Sequence, residues 1–355
     1  MSPGLHLRKK LINKSNKFIF FYPGNIKQKT GGYIYENNIY EYSKKNNISI
    51  NFSELSDNYP FPSNKDLKYL NNIISNLHSD KILIFDGLVL EGLAKEEYIF
   101  NNFKTIALIH HPLYLEFRGK KSDHFLDIAT KIYKKVDYFI VTSSDTKKLL
   151  SKKFNINSNM ISIVEPGIEE LKKYKKPPSK FVKLLTCGSI IERKKYDYLI
   201  NEIQKINSIE LHIIGDTSRE TKYSAKIKKQ IIDNKLTKKI ILHGKVSQIK
   251  LEKLYSQCDF YISTSKYEGF GMSLANASIS KLPIISYETS TIKKTIGKSG
   301  VLYFNNFKKG TLQKLIVNNC FNKEIYKKLK KSMTKKKYLT NNQSAKLFIK
   351  AISNA

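Results

Sequence analysis

Residues 258–279 constrain the chain more than any other stretch. Cys258 to Ser263 is apolar, aromatic and β-branched, and reads as a short buried strand. Leu274 to Ile279 reads as the first turns of a buried helix. Between them stand Tyr267, Glu268, Gly269, Phe270, Gly271 and Met272. Glycines at a strand-to-helix corner let the backbone come close to a ligand. The free N–H groups at the start of the helix suit an anion such as a pyrophosphate. A carboxylate in the same corner can accept hydrogen bonds from sugar hydroxyls. The corner therefore points to a nucleotide-sugar site, with a plain tight turn as the alternative that the glycines alone allow.

The same rhythm runs through the whole chain. Lys17 to Tyr22 is a strand candidate, followed by Pro23, Gly24, Thr30, Gly31 and Gly32, and then by a helix from Tyr33. Ile48–Phe52, Lys81–Phe85, Lys104–Ile109 and Tyr138–Thr142 are further strands, with helices over Asp66–Leu77 and Asp127–Val136. Glu169 to Lys180 breaks the pattern with a polar, charged run carrying Pro177 and Pro178, which reads as a linker. A second series follows, with strands at Lys183–Cys187, Glu210–Ile214, Lys239–Leu242, Cys258–Ser263, Leu282–Ser286 and Val301–Phe304. From Thr311 the chain is basic and helical to Ala355. Continuous apolar strands separated by helices indicate parallel sheets covered on both faces. The expected class is α/β, with two Rossmann-like doubly wound parallel-sheet domains facing across a cleft. The expected division is 1–172, 173–335 and a C-terminal helix over 336–355 packing back on the first domain. No internal sequence repeat accompanies the rhythm.

In such sheets ligands sit outside the carboxyl ends of the strands. The residues there are Gly31 and Gly32, Asp86 and Gly87, His110 and His111, Gly188, Gly215 and Asp216, and Glu268 to Gly271. Arg193 and Lys194 follow the strand that ends at Gly188, and two cations there can neutralise a diphosphate. A solvated basic loop is the alternative, but arginine is scarce in this lysine-rich chain. His110 and His111 precede Pro112. Neighbours in an extended segment point to opposite sides, so one of the two is expected to face the cleft, as a donor to a sugar hydroxyl or as acid or base. Glu268 is the strongest single candidate, because a carboxylate between Tyr267 and Gly269 has few structural duties. Asp216 reads as a turn cap and Asp259 as structural.

Other chemistries find no support. No P-loop, nucleophile elbow, zinc-helix motif or nucleic-acid module is present. Cys187, Cys258 and Cys320 are isolated and lack metal spacing, and Cys187 and Cys258 read as small core residues. Arg8, Lys9 and Lys10 precede an apolar run too short for a signal-peptide core, and no apolar run is long enough to span a bilayer. The expected location is cytoplasmic. The net charge of +33 favours anionic partners. Part of it follows from a composition rich in Lys, Asn, Ile, Tyr and Phe, so it supports membrane-surface contact only weakly.

The order and wording of several stretches resemble glycosyltransferase family 4, retaining enzymes of the two-Rossmann GT-B fold. They are GGYIYENNI, IHHPLYLE, VEPGIE, CGSIIERKKYDYLI, LHIIGD and YEGFGMSLANASISKLPII, the last being the most specific. The resemblance covers nearly the whole chain. It implies that Gly31 and Gly32 lie in a flexible loop over the donor phosphates, and that His110, or else His111, contacts the donor sugar. It implies that Arg193 and Lys194 bind the diphosphate and stabilise the leaving group, and that Glu268 contacts the sugar. The backbone of Phe270, Gly271 and Met272 would hold sugar and phosphate, with Gly188, Gly215, Gly269 and Asn276 completing the donor site. No metal or other cofactor is implied. Two positions depart from the family pattern. Asn276 stands eight positions after Glu268 where a second glutamate contacts the ribose, and Ser189 stands where arginine is frequent. An Asn can hydrogen-bond the hydroxyls but gives up a charge-assisted bond worth about 1 kcal/mol.

The resulting expectation is a retaining, metal-independent glycosyltransferase moving a hexose from a UDP- or GDP-linked donor. The acceptor would be a lipid or a lipid-linked or cell-surface glycan. The enzyme would sit peripherally at the inner face of the membrane through a segment containing Arg118, Lys120, Lys121, Lys131, Lys134 and Lys135, with no nucleic acid involved. The alternative, suggested by Asn276, is a catalytically weak or inactive binding or partner subunit that keeps the fold.

Overall fold

A computed structural model describes residues 17–94, 96, 98–333 and 336–355. Arg8, Lys9 and Lys10 lie outside the described residues. The N-terminal half builds a sheet from β1 (Phe18–Pro23), β2 (Ile50–Leu55), β3 (Ile82–Asp86), β4 (Lys104–Ile109), β5 (Tyr138–Val141) and β6 (Ile161–Ile163). Its order is β2-β1-β3-β4-β5-β6, and every pair is parallel. The second half builds a sheet from β7 (Val182–Cys187), β8 (Ile209–Ile214), β9 (Ile240–Gly244), β10 (Phe260–Ser263), β11 (Ile284–Tyr287) and β12 (Val301–Phe304). Its order is β12-β11-β10-β7-β8-β9, again parallel throughout.

These orders follow from the apolar pattern. β3 is buried at every position, because helices cover both faces of its sheet. One face packs Phe21, Phe85, Phe125 and Phe139, and the other packs Phe20, Tyr35, Phe52 and Phe348. The second sheet is likewise covered by one cluster containing Leu184, Ile213, Phe260 and Ile285 and another containing Leu185, Tyr261, Leu274 and Ile284.

Each sheet has a point where the strand order reverses. In the second it lies between β7 and β10, so the carboxyl ends of those two strands open on a crevice. In the first, β1 lies between β2 and β3, and the chain reverses there. Residues 164–179 carry no helix or strand and cross from one sheet to the other. The chain crosses back near residue 338, where Ile168 N–H donates to Leu339 C=O at 2.8 Å. The helix Asn341–Asn354 then packs on the first sheet, burying Ala345, Phe348 and Ile352 beside Tyr35. From Thr311 onward the helix is split into three, Thr311–Cys320, Lys323–Ser332 and Asn341–Asn354, with Lys336 and Lys337 in the connection before the last, rather than one continuous run.

Candidate active site

A cleft of about 470 Å³ lies between the two sheets, walled by strand ends of both halves and floored by Pro166–Glu169 and Asn341. Glu268, His110, Arg193, Lys194, Gly31, Gly32, His111, Gly188, Gly215, Gly269, Phe270, Gly271, Met272 and Asn276 all line it. The reason is topological: each of these stretches follows the carboxyl end of a parallel strand, and both sets of ends face the same gap.

Glu268 is at the centre of an ionic group. Its Oε1 lies 2.5 Å from Lys194 Nζ and its Oε2 3.5 Å from Arg193 Nη1. Arg193 Nη1 also donates to the Tyr267 carbonyl. Burial alone would raise the Glu268 carboxyl, but Lys194 and Arg193 outweigh it and hold the group down at about 2. Glu268 is therefore a carboxylate at any working pH, and Glu268 and Glu116 in turn push the Arg193 guanidinium up against the opposing effect of burial. Arg193 Nε is buried without a hydrogen-bond partner among the described residues.

The loop that carries the two cations is fixed from below. Thr264 Oγ1 donates to the Lys194 carbonyl at 2.7 Å, and Lys266 N–H to the Arg193 carbonyl at 3.0 Å. Gly271 starts the helix Met272–Ile279 with φ +94, a left-handed conformation that glycine adopts without a Cβ penalty. No side chain caps that helix, so its first N–H groups are free to meet an anion.

The N-terminal half approaches closely. A Cβ on Gly269 would collide with the carbonyl oxygen of His110, and one on Gly31 would stand 3.5 Å from Met272 Sδ. His111 Nε2 lies 2.7 Å from Glu116 Oε1, and Glu116 Oε1 lies 3.7 Å from Arg193 Nη2. A chain of charged and polar groups thus crosses the cleft from His111 through Glu116 and Arg193 to Glu268 and Lys194. Burial would raise Glu116, but His111, Arg219 and Arg193 hold it well below the usual carboxylate range. His111 is pushed down by burial against the pull of Glu116.

Three expectations need correction. Gly31 and Gly32 are the first turn of the helix Gly31–Lys45 and not a loop, since Thr30 already takes the N-cap position. His110 and His111 both line the cleft, because β4 ends at Ile109 and the chain bends at the pair instead of staying extended. Cys187 also lines the cleft, while Cys258 and Cys320 are buried as small core residues. Asp216 accepts from Ser218 N–H and Oγ at 2.8 and 2.7 Å, and so closes its turn. Asp259 accepts from Lys183 N–H at 2.9 Å and pairs with Lys176.

Sequence reasoning missed Lys29, Glu36, Glu116, Arg219 and Lys245. Lys29, Glu116, Arg219 and Lys245 line the cleft, and Glu36 lines a recess that opens from it. Glu36, Asp86 and His110 bring potential ligand atoms within 4.8 Å of one another. The spacing of Glu116 from His110 was the one available signal, and the others resemble surface charges in a basic chain.

A family model described as glycosyl transferases group 1 matches residues 167–349, which carry Arg193, Lys194 and Glu268. Among curated relatives, the GtfA subunit of the UDP-N-acetylglucosamine--peptide N-acetylglucosaminyltransferase of Streptococcus gordonii is 24% identical over 64% of this chain and 46% of its own length. The poly(ribitol-phosphate) alpha-N-acetylglucosaminyltransferase of Staphylococcus aureus (strain COL) is 25% identical over 72% of this chain and 52% of its own. The chain therefore spans about half the length of these relatives. Among solved structures, Anabaena Alr3699/HepE in complex with UDP and glucose superposes with a TM-score of 0.73 at 12% identity, covering 96% of this chain and 100% of that one.

Proposed function

The chain belongs to the glycosyl transferases of group 1 and has the two-sheet GT-B fold, and we propose that it is a retaining, family 4-type enzyme moving a hexose or N-acetylhexosamine from a UDP-linked donor to a glycan acceptor. The observation that carries this reading is Glu268 paired with Lys194 and Arg193 beside an uncapped helix start, at the reversal point of the second sheet. The donor diphosphate lies against Arg193, Lys194 and the first N–H groups of Met272–Ile279, and Glu268 accepts from sugar hydroxyls. UDP is favoured over GDP by the named chemistry of the relatives and by the UDP complex of the structural neighbour.

In the reaction, the acceptor oxygen bonds to the anomeric carbon as the bond from that carbon to the phosphate oxygen breaks. Its electron pair leaves with the diphosphate, and the hydroxyl proton goes to the departing oxygen on the same face. Arg193 and Lys194 stabilise the charge that develops there, which is the largest catalytic term such a site offers. Those two cations supply the positive charge that a metal would otherwise bring, so turnover is expected to survive chelation. The test is donor turnover across UDP-glucose, UDP-N-acetylglucosamine and GDP-mannose, with and without EDTA. Turnover of the GDP donor alone, or loss of activity with EDTA, would reverse the corresponding part.

The acceptor is proposed to be lipid-linked or carried at a membrane surface. Phe61 is 52% exposed beside Phe117, with Lys121 Nζ 4.4 and 4.0 Å from the two ring centres. No helix among the described residues is long and apolar enough to cross a membrane. A peripheral place at the inner face is part of the same proposal. The second reading, a catalytically weak partner subunit, draws on Asn276 in the cleft wall. UDP binding without donor turnover would favour it.

A further inference from the structure

The helix Ser144–Lys153 follows β5 and starts beside the second half of the chain. Ser143 caps it, accepting from Thr146 N–H at 3.2 Å, and Asp145 stands in its first turn. A carboxylate there ordinarily serves the dipole of its own helix. Asp145 also reaches across to the helix Ser290–Ile296 of the second half. Its Oδ1 accepts from Ser290 Oγ at 3.1 Å and from Lys294 Nζ at 2.5 Å. Lys294 Nζ donates to Ser144 Oγ as well, at 3.1 Å. The Asp145 side chain is 19% exposed. Burial would raise its carboxyl, but Lys294 and the Thr291 and Ser290 hydroxyls hold it below the usual range.

The helix Ser290–Ile296 passes this contact on to the cleft without lining it. Thr295 is buried, and its Oγ1 donates to the Phe270 carbonyl at 2.7 Å. In a planar trans peptide the N–H points opposite the carbonyl, so a Phe270 carbonyl pinned by Thr295 turns the Gly271 N–H away from this helix. Phe270 and Gly271 both line the cleft. Tyr338 Oη donates to the Thr295 carbonyl at 3.0 Å and Lys336 Nζ to that of Lys294, so the returning crossing braces the same helix. One short helix thus joins the first half, the crossing and the corner from Glu268 to Gly271. An ion pair at the surface, such as Arg118 with Glu192 at 50% and 45% exposure, contributes little. Asp145 differs in taking a hydroxyl together with the cation, and in seating a helix that holds a peptide of the cleft wall.

We propose that Asp145 is a positioning residue for transfer: with the two halves together it seats the helix Ser290–Ile296, which fixes the Phe270 carbonyl and with it the direction of the Gly271 N–H. This rests on the glycosyl-transfer reading above. In that reading the diphosphate lies against Arg193, Lys194 and the start of Met272–Ile279, all of the second half, so the hold on the nucleotide does not need Asp145. Transfer needs both halves, because His110 and His111 come from the first. The seat therefore acts on the step that joins the halves.

The test uses the full chain with UDP-glucose and UDP-N-acetylglucosamine, following UDP release for kcat and calorimetry for UDP affinity. Asp145→Ala should lower kcat about 5-fold, and Asp145→Lys, which sets a like charge against Lys294, about 10-fold or more, each with UDP affinity within about twofold. Asp145→Lys combined with Lys294→Asp restores the pair with its charges exchanged and should recover most of the wild-type kcat. Thr295→Val keeps the size of the side chain and drops the bond to Phe270. Joined to Asp145→Ala it should cost little more than either change alone, since both break one chain of contacts. Both side chains of the exchange reach solvent, so that pair carries the test if Thr295→Val does not fold. A kcat indifferent to both Asp145 variants, an exchange that recovers nothing, losses that simply multiply in the double variant, or kcat and UDP affinity falling together overturns the inference alone. Wild-type protein that binds no UDP, or releases none from either donor, overturns the transfer reading and the inference together.

Discussion

The carbonyl oxygen of His110 stands where a side chain on Gly269 would have to begin. One residue belongs to the N-terminal half and the other to the second, so the two walls of the cleft meet backbone to backbone at this corner. Gly269→Ala keeps both sheets intact but wedges them apart by the width of a methyl group. A displacement of about 1 Å at a reacting centre costs on the order of 100-fold in rate. The expected result is a loss of that size in kcat with UDP affinity changed only a few-fold, read by steady-state kinetics and calorimetry. Equal losses in both would mean that Gly269 serves the donor pocket alone.

Glu268→Gln should abolish most transfer, by about 100-fold or more, because the amide cannot balance Arg193 and Lys194 or accept two charge-assisted bonds. It should also change acid stability. The folded-state group sits at about 2, below its unfolded value, so its contribution is present above about pH 4.5 and is lost as pH falls towards 2. Thermal melts of wild type and variant should converge over that window. Parallel melting curves would show that the ion group does not set acid stability.

Glu36 has the opposite sign. Burial raises it to about 7, so the folded state holds its proton more tightly than the unfolded chain does. Stability from this group is full below about pH 4.5 and declines as pH rises through about 7. Glu36→Gln should therefore melt higher than wild type at pH 8, by about 3 °C or more, with little difference at pH 5. A variant less stable at both values would place Glu36 in a structural role.

Asn276→Glu restores a charged acceptor in the donor wall and should tighten UDP-sugar binding about 5- to 10-fold. Calorimetry with wild type and variant measures this directly. Unchanged affinity would mean that residue 276 does not reach the nucleotide.

Vesicles containing anionic lipid should co-sediment with the protein at low salt. Lys121→Glu or Phe61→Ser should lower the bound fraction, since a lysine at such a surface contributes about 1 kcal/mol and the effect is screened by salt. Binding that ignores both substitutions would move the membrane contact elsewhere on the molecule.

Much of this arrangement was legible before any coordinates. Strand ends followed by glycine marked the ligand side, because parallel strands with helical crossovers place all such ends together. The corner at Glu268 to Gly271 could be read locally, since its chemistry and its geometry lie in one short run. The recess could not. Glu36 sits between Tyr35 and Asn37 in a helix, where an acid ordinarily marks a solvated face, and only the approach of β3 and β4 buries it. Arg219 and Lys245 were hidden by composition, since single cations carry little signal in a chain with 63 lysines and arginines. The histidine pair failed for a local reason. The two-residue alternation of a strand applies only while the strand lasts, and β4 ends one residue too soon.

The two crossings between the sheets run side by side, with Ile168 bonded to Leu339 and Glu169 Oε1 accepting from Asn341 N–H at 2.7 Å. One connecting strand would act as a swivel, but two bonded strands act as the spine of a book. Two bonded crossings restrict relative rotation of the sheets more than one would. The covers meet again at His110 and Gly269, one residue along from Phe270, which packs on Ile168, so a turn at the spine is felt at once at a place where the two backbones touch.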